Sequence, residues 1–307
     1  MPFFILRRIV SAVPTLFVVV TLSFFLMRFA PGSPFSLERP LPPETMANLM
    51  RTYNLDQPLW IQYVRYLGNA LTGDFGPSYV YKDSSVAELI GSGLPYSFRL
   101  GGLALTLGLV GGVAVGCIAA LRQNSLVDHA VMTVATFGIT VPNFVVGPVL
   151  TLLFAIALSW LPAGGWGDGS PRYLLLPVIT LGLPQLAVFA RLTRGAMIET
   201  LHADHIRTAR AYGLPTRVVV VVHAMRAALL PVVSYLGPCA AGLFTGSVVV
   251  ETIYSIPGIG RYFVLGALNR DYTLVMGTVI LIAVLVIVFN LLVDILYGLL
   301  DPRVRYE

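Results

Sequence analysis

The sequence is poor in charge. Of its 307 residues only 11% are Asp, Glu, Lys or Arg, against about 25% in a soluble globular chain. Hydrophobic residues make up 56%, and the mean hydropathy is +0.81. So little polar surface cannot cover a water-soluble domain, and the same apolar content excludes disorder. Lysine is nearly absent. Lys82 is the only one and follows Tyr81, so the chain holds no G-x-x-x-x-G-K-[ST] phosphate loop and is not itself a P-loop ATPase. The two cysteines, Cys117 and Cys239, lie in separate apolar runs, which excludes a disulfide framework and cysteine-based metal spacing. The four histidines, His129, His202, His205 and His223, all fall outside the apolar runs. His202 and His205 lack the i, i+4 spacing of a zinc-binding H-E-x-x-H pair, and no histidine inside a span serves as an intramembrane base. The net charge of +5 suits basic loops at a membrane face rather than nucleic-acid binding.

What remains is long stretches without charge. They are Ile9–Met27, Leu100–Leu121, Ala130–Gly167, Tyr173–Ala190, Ala227–Val250 and Tyr272–Val293. At about 1.5 Å per residue the shortest reaches roughly 27 Å, close to the ~30 Å hydrocarbon core. The third run is read as one helix, about Ala130–Trp160, followed by a Gly- and Pro-rich loop. The chain is thus expected to be an all-α integral membrane protein with six transmembrane helices. The first is read as a retained anchor, because 19 apolar residues exceed a signal-peptide core and Arg28-Phe-Ala-Pro-Gly does not resemble a cleavage site.

Arginine placement sets the expected orientation. With both termini cytoplasmic, the inner segments hold eleven arginines, and the short outer loops only Arg172, Arg261 and Arg270. The division that follows is an anchor at 1–30, an outer segment at 31–97, a five-helix core at 98–301 and a cytoplasmic tail at 302–307. The outer segment is expected to form short helices over Glu44–Tyr53 and Pro58–Leu71, with Leu59, Tyr63, Tyr66 and Leu67 on one face as a cap over the helix ends.

The core includes a cytoplasmic loop, 191–226, with six arginines, three histidines and two acids. Glu199 to Tyr212 is free of Gly and Pro, and Gly213-Leu-Pro215 then supplies a stop, so the loop reads as helix, turn, helix. Small Ala209, Ala211 and Gly213 beside basic Arg207 and Arg210 suit either close approach of a protein partner or an amphipathic helix on anionic headgroups. Further out, Asn290 and Asp294 near the inner end of the sixth span are expected to clamp helices together. Glu251, Pro257, Gly258 and Gly260 mark a re-entrant or tightly turned loop at the outer end of the fifth span. Gly108, Gly112 and Gly116 form two successive G-x-x-x-G patterns, a close-packing signal whose partner the sequence leaves open.

Arg207-Thr-Ala-Arg-Ala-Tyr-Gly-Leu-Pro215 followed by His223-Ala-Met-Arg-Ala-Ala-Leu-Leu-Pro231 resembles the cytoplasmic loop of binding-protein-dependent ABC importer permeases, most closely the dipeptide/oligopeptide branch. Arg28-Phe-Ala-Pro-Gly-Ser-Pro34, Gly73-Asp-Phe-Gly-Pro-Ser78, Glu251-Thr-Ile-Tyr-Ser-Ile-Pro-Gly-Ile-Gly260, Asn269-Arg-Asp-Tyr272 and Asp301-Pro-Arg303 extend the likeness over nearly the whole chain. Pro34–Glu44 and Lys82-Asp83 point more narrowly to the B-type membrane subunit of oligopeptide permeases. The loop departs from the general pattern E-A-A-x-x-x-G-x9-I-x-L-P: Arg207 stands for Glu, Thr208 for the first Ala, His223 and Met225 for Ile and Leu, and Arg226 for Pro.

The resemblance implies a type I ABC importer transmembrane domain in a bacterial inner membrane. Its implied partners are a second homologous permease subunit, two cytoplasmic ABC ATPase subunits that hold ATP and Mg, an extracytoplasmic peptide-binding protein, and the peptide itself. No cofactor and no catalytic or metal-binding residue is expected in this chain. The segment Arg207, Thr208, Ala209, Arg210, Ala211, Gly213, Leu214 is the implied coupling helix, and an acid at Ala209 or Gly213 its implied test. Glu251, Pro257, Gly258 and Gly260 become a candidate outer gate or docking site. Dipeptide, nickel and glutathione importers share much of the pattern, and an ion-coupled carrier or an intramembrane hydrolase is the rival class.

Overall fold

The computed structural model describes residues 2–29, 43–81 and 83–300. Lys82, most of Pro34–Glu44 and the tail 302–307 therefore lie outside the described residues. Among those described, the chain is helical, with one isolated β-bridge and no sheet.

Helix α1 (Pro2–Phe29) is the first span and keeps a largely exposed apolar surface. Two short helices follow, α2 (Pro43–Thr52) and α3 (Leu59–Leu71). Tyr63 and Tyr66 of α3 lie against Phe24 of α1 with ring centroids 5.4 and 5.8 Å away, and the Tyr63 hydroxyl shares a 2.6 Å hydrogen bond with Thr21. Leu59, expected on the same face, is exposed instead.

The second span is longer than its charge-free run. Helix α4 (Val86–Thr106) continues through a π turn (Leu107–Gly111) into α5 (Gly112–Leu121). It begins at Ser85 because Ser85 and Glu88 close a reciprocal capping box. Glu88 and Arg99 interrupt the apolar run but not the helix, so α4 passes through the 97/98 junction. Gly108, Gly112 and Gly116 of this span face α8 (Pro171–Leu201), the central helix. A Cβ on Gly112 would lie 2.6 Å from Phe189 Cβ, and one on Gly116 would lie 2.9 Å from Thr193 Cβ. The G-x-x-x-G stripe is therefore filled from within the chain.

The third span is where the structure departs most from the sequence reading. A single helix over Ala130–Trp160 is not formed. Instead α6 (Leu126–Thr140) and α7 (Asn143–Leu150, extended by a π turn to Ala157) meet at 105°. Pro142 lacks an N–H and pushes Val141 out of the helical region, to φ −81°, ψ 119°. Arg194 of α8 fixes the start of α6 by donating to both carboxylate oxygens of fully buried Asp128, at 2.5 and 2.7 Å.

After α8 come α9 (Asp204–Ala211), α10 (Thr216–Val218), a π turn and α11 (Met225–Ala228). The fifth span is α12 (Leu230–Phe244) with α13 (Val248–Ile253), separated at Gly246, whose φ is +86°. Helices α14 (Gly260–Leu268) and α15 (Tyr272–Leu300) complete the chain. Among the described residues five helices are long and apolar enough to cross a bilayer, or six when the bent α6–α7 pair counts as one span.

Candidate functional site

Three groups of residues carry the candidate chemistry. The first is α9 and the turn after it. Ile206 is fully buried and Ala209 is 6% exposed; both pack with Met197, Val219, Val220 and Ala224. Arg207, Thr208, Arg210, Ala211, Tyr212, Gly213 and Leu214 are exposed. The helix is thus split into an inner face that packs with residues of α8 and the π turn, and an exposed outer face. Ala209 belongs to the inner face. Its small side chain admits α8, not a partner, so an acid there would test packing rather than coupling. Gly213 is glycine for a different reason: its φ is +73°, and nothing lies within 4 Å of where a Cβ would be. Arg207 makes an exposed contact of 3.4 Å with Asp204 one turn away, a pair of little energetic weight. Tyr212, which sequence reasoning passed over, is 82% exposed. Its signal was available: an aromatic directly before a helix-stopping glycine has no helical neighbour ahead of it to cover it.

The second group is Glu251 with the turn Ser255–Gly260. Glu251 is 1% exposed. Ser97 Oγ of α4 donates to its Oε1 at 2.6 Å, and the Gly260 N–H donates to its Oε2 at 2.9 Å. Ser97 Oγ in turn accepts the Ile259 N–H at 2.8 Å. The carboxylate is wrapped by glycines: a Cβ on Gly246 would stand 2.8 Å from Oε1, and one on Gly258 2.5 Å from Oε2. Gly258 and Gly260 are buried and Pro257 is half-buried. Glu251, Gly258 and Gly260 therefore offer no surface to a docking protein. They tie the turn Ser255–Gly260 to α4.

The third group was quoted from the sequence but not singled out. Asp271 is fully buried and precedes α15. Its Oδ2 accepts from Ser78 Oγ, from the Tyr79 N–H at 3.1 Å and from the Val80 N–H at 3.2 Å. Its Oδ1 accepts from Thr273 Oγ1 at 2.9 Å and from the Leu274 N–H at 3.1 Å. One carboxylate therefore caps α15 and anchors the segment after α3. An Asp just before an apolar helix is a capping signal; that it also holds residues 78–80 has none. Beside this anchor Tyr79 packs edge-on against Tyr53 at 4.8 Å, and burial pushes its phenol pKa up, with Arg28 opposing.

Asp294 and Asn290 do not act together. Arg8 Nε of α1 lies 3.1 Å from Asp294 Oδ2, while Asn290 faces α12, where a Cβ on Gly237 would be 2.8 Å from its Oδ1. Each polar group thus links α15 to a different helix.

Residues 112–306 match the binding-protein-dependent transport system inner membrane component family, and residues 1–97 match the N-terminal region of such components. The chain belongs to this family. The permease is 54% identical to the oligopeptide transport system permease protein OppB of Escherichia coli K12 over 303 residues, 99% of each chain. It is 43% identical to the dipeptide transport system permease protein DppB of Bacillus subtilis over 302 residues, covering 98% of this chain and 97% of that one. The crystal structure of an amino acid ABC transporter shares the fold, with a TM-score of 0.50 at 18% identity, over 70% of this permease and 94% of that chain. Membership makes the permease a multi-pass inner-membrane transport subunit rather than an enzyme, and sets aside the ion-coupled carrier and the hydrolase.

Proposed function

We propose that the permease is the B-type membrane subunit of an ATP-driven oligopeptide importer, forming half of the translocation path. The observation that carries this reading is identity of 54% to an oligopeptide permease against 43% to a dipeptide permease, each over nearly the full chain. Its partners are a second, homologous permease subunit, two cytoplasmic ATPases that hold the ATP and Mg, and an external peptide-binding protein. The end of the bundle that carries α9 faces the cytoplasm, in keeping with the six arginines of the 191–226 loop.

The outer face of α9, with Tyr212 and Leu214 beyond it, is the contact for an ATPase subunit. The inner face is the transmission. Ile206 and Ala209 sit in one buried cluster with Met197 at the end of α8 and Val220 and Ala224 on the way to α12. A push on α9 therefore moves two spans together, because a packed cluster shifts as a body rather than deforming. Closing of the ATPases on ATP thereby drives α8 and α12 from the inward-open to the outward-open arrangement.

Tyr212→Ala tests the contact. The side chain has almost no packing within the chain, so insertion and assembly of the permease should be unchanged. Uptake and peptide-stimulated ATP hydrolysis in proteoliposomes should fall roughly tenfold, the effect of about 1.4 kcal/mol at an interface anchor. Full uptake by this variant, together with Arg210→Glu, would remove α9 as the coupling element.

A further inference from the structure

We propose that a pocket between α8 and α12, walled in part by the Gln185 carboxamide, contacts the main chain of the transported peptide. This rests on the oligopeptide reading above. The pocket measures about 370 Å³ and is lined by Gln185, Tyr235, Pro238, Cys239, Gly242 and Ser247, among others. Gln185 is the fifteenth of the 31 residues of α8, far from either end of the span. A carboxamide at such depth is stable only against protein partners or water, since lipid supplies neither donor nor acceptor.

The amide is held in one orientation. Tyr235 Oη donates to its Oε1 at 2.9 Å and Cys239 Sγ donates to the same oxygen at 3.2 Å. Both bonds converge on the oxygen, which leaves the amide NH2 with no acceptor among the described residues and with access to the pocket. A fixed pair of N–H donors calls for a carbonyl oxygen. Every residue of a peptide carries one whatever its side chain, and no Asp, Glu, His, Lys or Arg lines the pocket to select on charge.

The surrounding surface separates this pocket from the lipid-facing sides. From residue 223 to residue 248 no large apolar side chain is exposed; the exposed residues of α12 include Ser234, Pro238 and Gly242. The exposed faces of α1 and α7 instead carry Phe17, Leu22 and Phe144. The pocket also ends at Gly246 and Ser247, and a Cβ on Gly246 would lie 2.7 Å from the Gly260 nitrogen of the turn that Glu251 ties to α4. A peptide seated at Gln185 thus lies beneath the pinned turn, between the two spans that the α9 cluster moves.

The test uses the whole transporter in proteoliposomes with a radiolabelled pentapeptide. Gly242→Cys places a thiol in the pocket where nothing lies within 4 Å of the new Cβ, so folding is preserved. A charged methanethiosulfonate should modify it well above the native chain, whose Cys117 and Cys239 set the background. Saturating pentapeptide should slow that modification at least fivefold, while a thiol at lipid-facing Val110 should be unaffected by peptide. Gln185→Leu should raise the KM for uptake about tenfold with a much smaller change in kcat, as loss of one substrate hydrogen bond requires. Modification at 242 no faster than background, or no slower with peptide, would overturn the pocket assignment. So would an unchanged KM in Gln185→Leu. If the native transporter itself takes up no pentapeptide, the oligopeptide reading fails, and the pocket assignment with it.

Discussion

Gly258→Ala is expected to reduce peptide uptake to background and to lower the thermal stability of the assembled transporter. The added methyl would stand 2.5 Å from Glu251 Oε2, where non-bonded atoms prefer about 3.5–4.0 Å. Overpacking costs about 1–3 kcal/mol where neighbours can move aside. Here they are held, since Ser97 and Gly260 fix the carboxylate from two sides and Ile259 is tied to the same serine. The turn must be rebuilt to admit a single carbon. Glu251→Ala removes the obstructing atoms but leaves buried donors unpaired, so it too should destabilise. The double variant should be less damaged than the sum of the two, the mark of direct contact. Uptake assays and thermal gel-filtration stability on the four chains check this. Native uptake by Gly258→Ala would show that the turn repacks freely and is no pinned element.

Asp271→Ala carries the second large effect. Five donors converge on this carboxylate, three from residues 78–80 and two from the first turn of α15. Each buried donor left unmade costs about 1–3 kcal/mol, and loss of a helix cap adds about 0.5–2 kcal/mol. Their sum rivals the ~5–15 kcal/mol by which a folded domain exceeds its unfolded chain. The yield of assembled transporter should fall at least tenfold, with fast hydrogen exchange at Tyr79 and Val80. Asp271→Asn should be intermediate, because one oxygen keeps its donors while the new NH2 faces the others. Native exchange rates at Tyr79 and Val80 in Asp271→Ala would dissociate the anchor from the carboxylate.

The legible and illegible parts of this chain divide along one physical line. Where a residue's state is set by its immediate neighbours in sequence, the sequence suffices. The apolar runs had to be spans because a bilayer satisfies no backbone group, and the helix must do so internally. The stop at Gly213 was visible for a similar reason, since a left-handed turn after a helix is a local demand. The break at Pro142 is local too: a proline disfavours the helical region for the residue before it, and Val141 leaves that region altogether.

Where the state depends on distant residues, the sequence alone was insufficient. Ala209 read as a partner-facing residue because small size marks close approach but does not say to what; the fold places α8 and the π turn there. Glu251 is a candidate gate or docking residue by family resemblance and by the Pro-Gly turn that follows it. Ser97, 154 residues earlier, makes it an internal tie instead. Asp271 went unweighted because Ser78, its partner, is 193 positions away. The sequence by itself determined a charge-poor, membrane-spanning permease with a basic loop between its fourth and fifth spans, and the family to which it belongs. Only the tertiary structure decided which polar groups are buried, because the burial of a charge is affordable only where donors from remote segments converge on it.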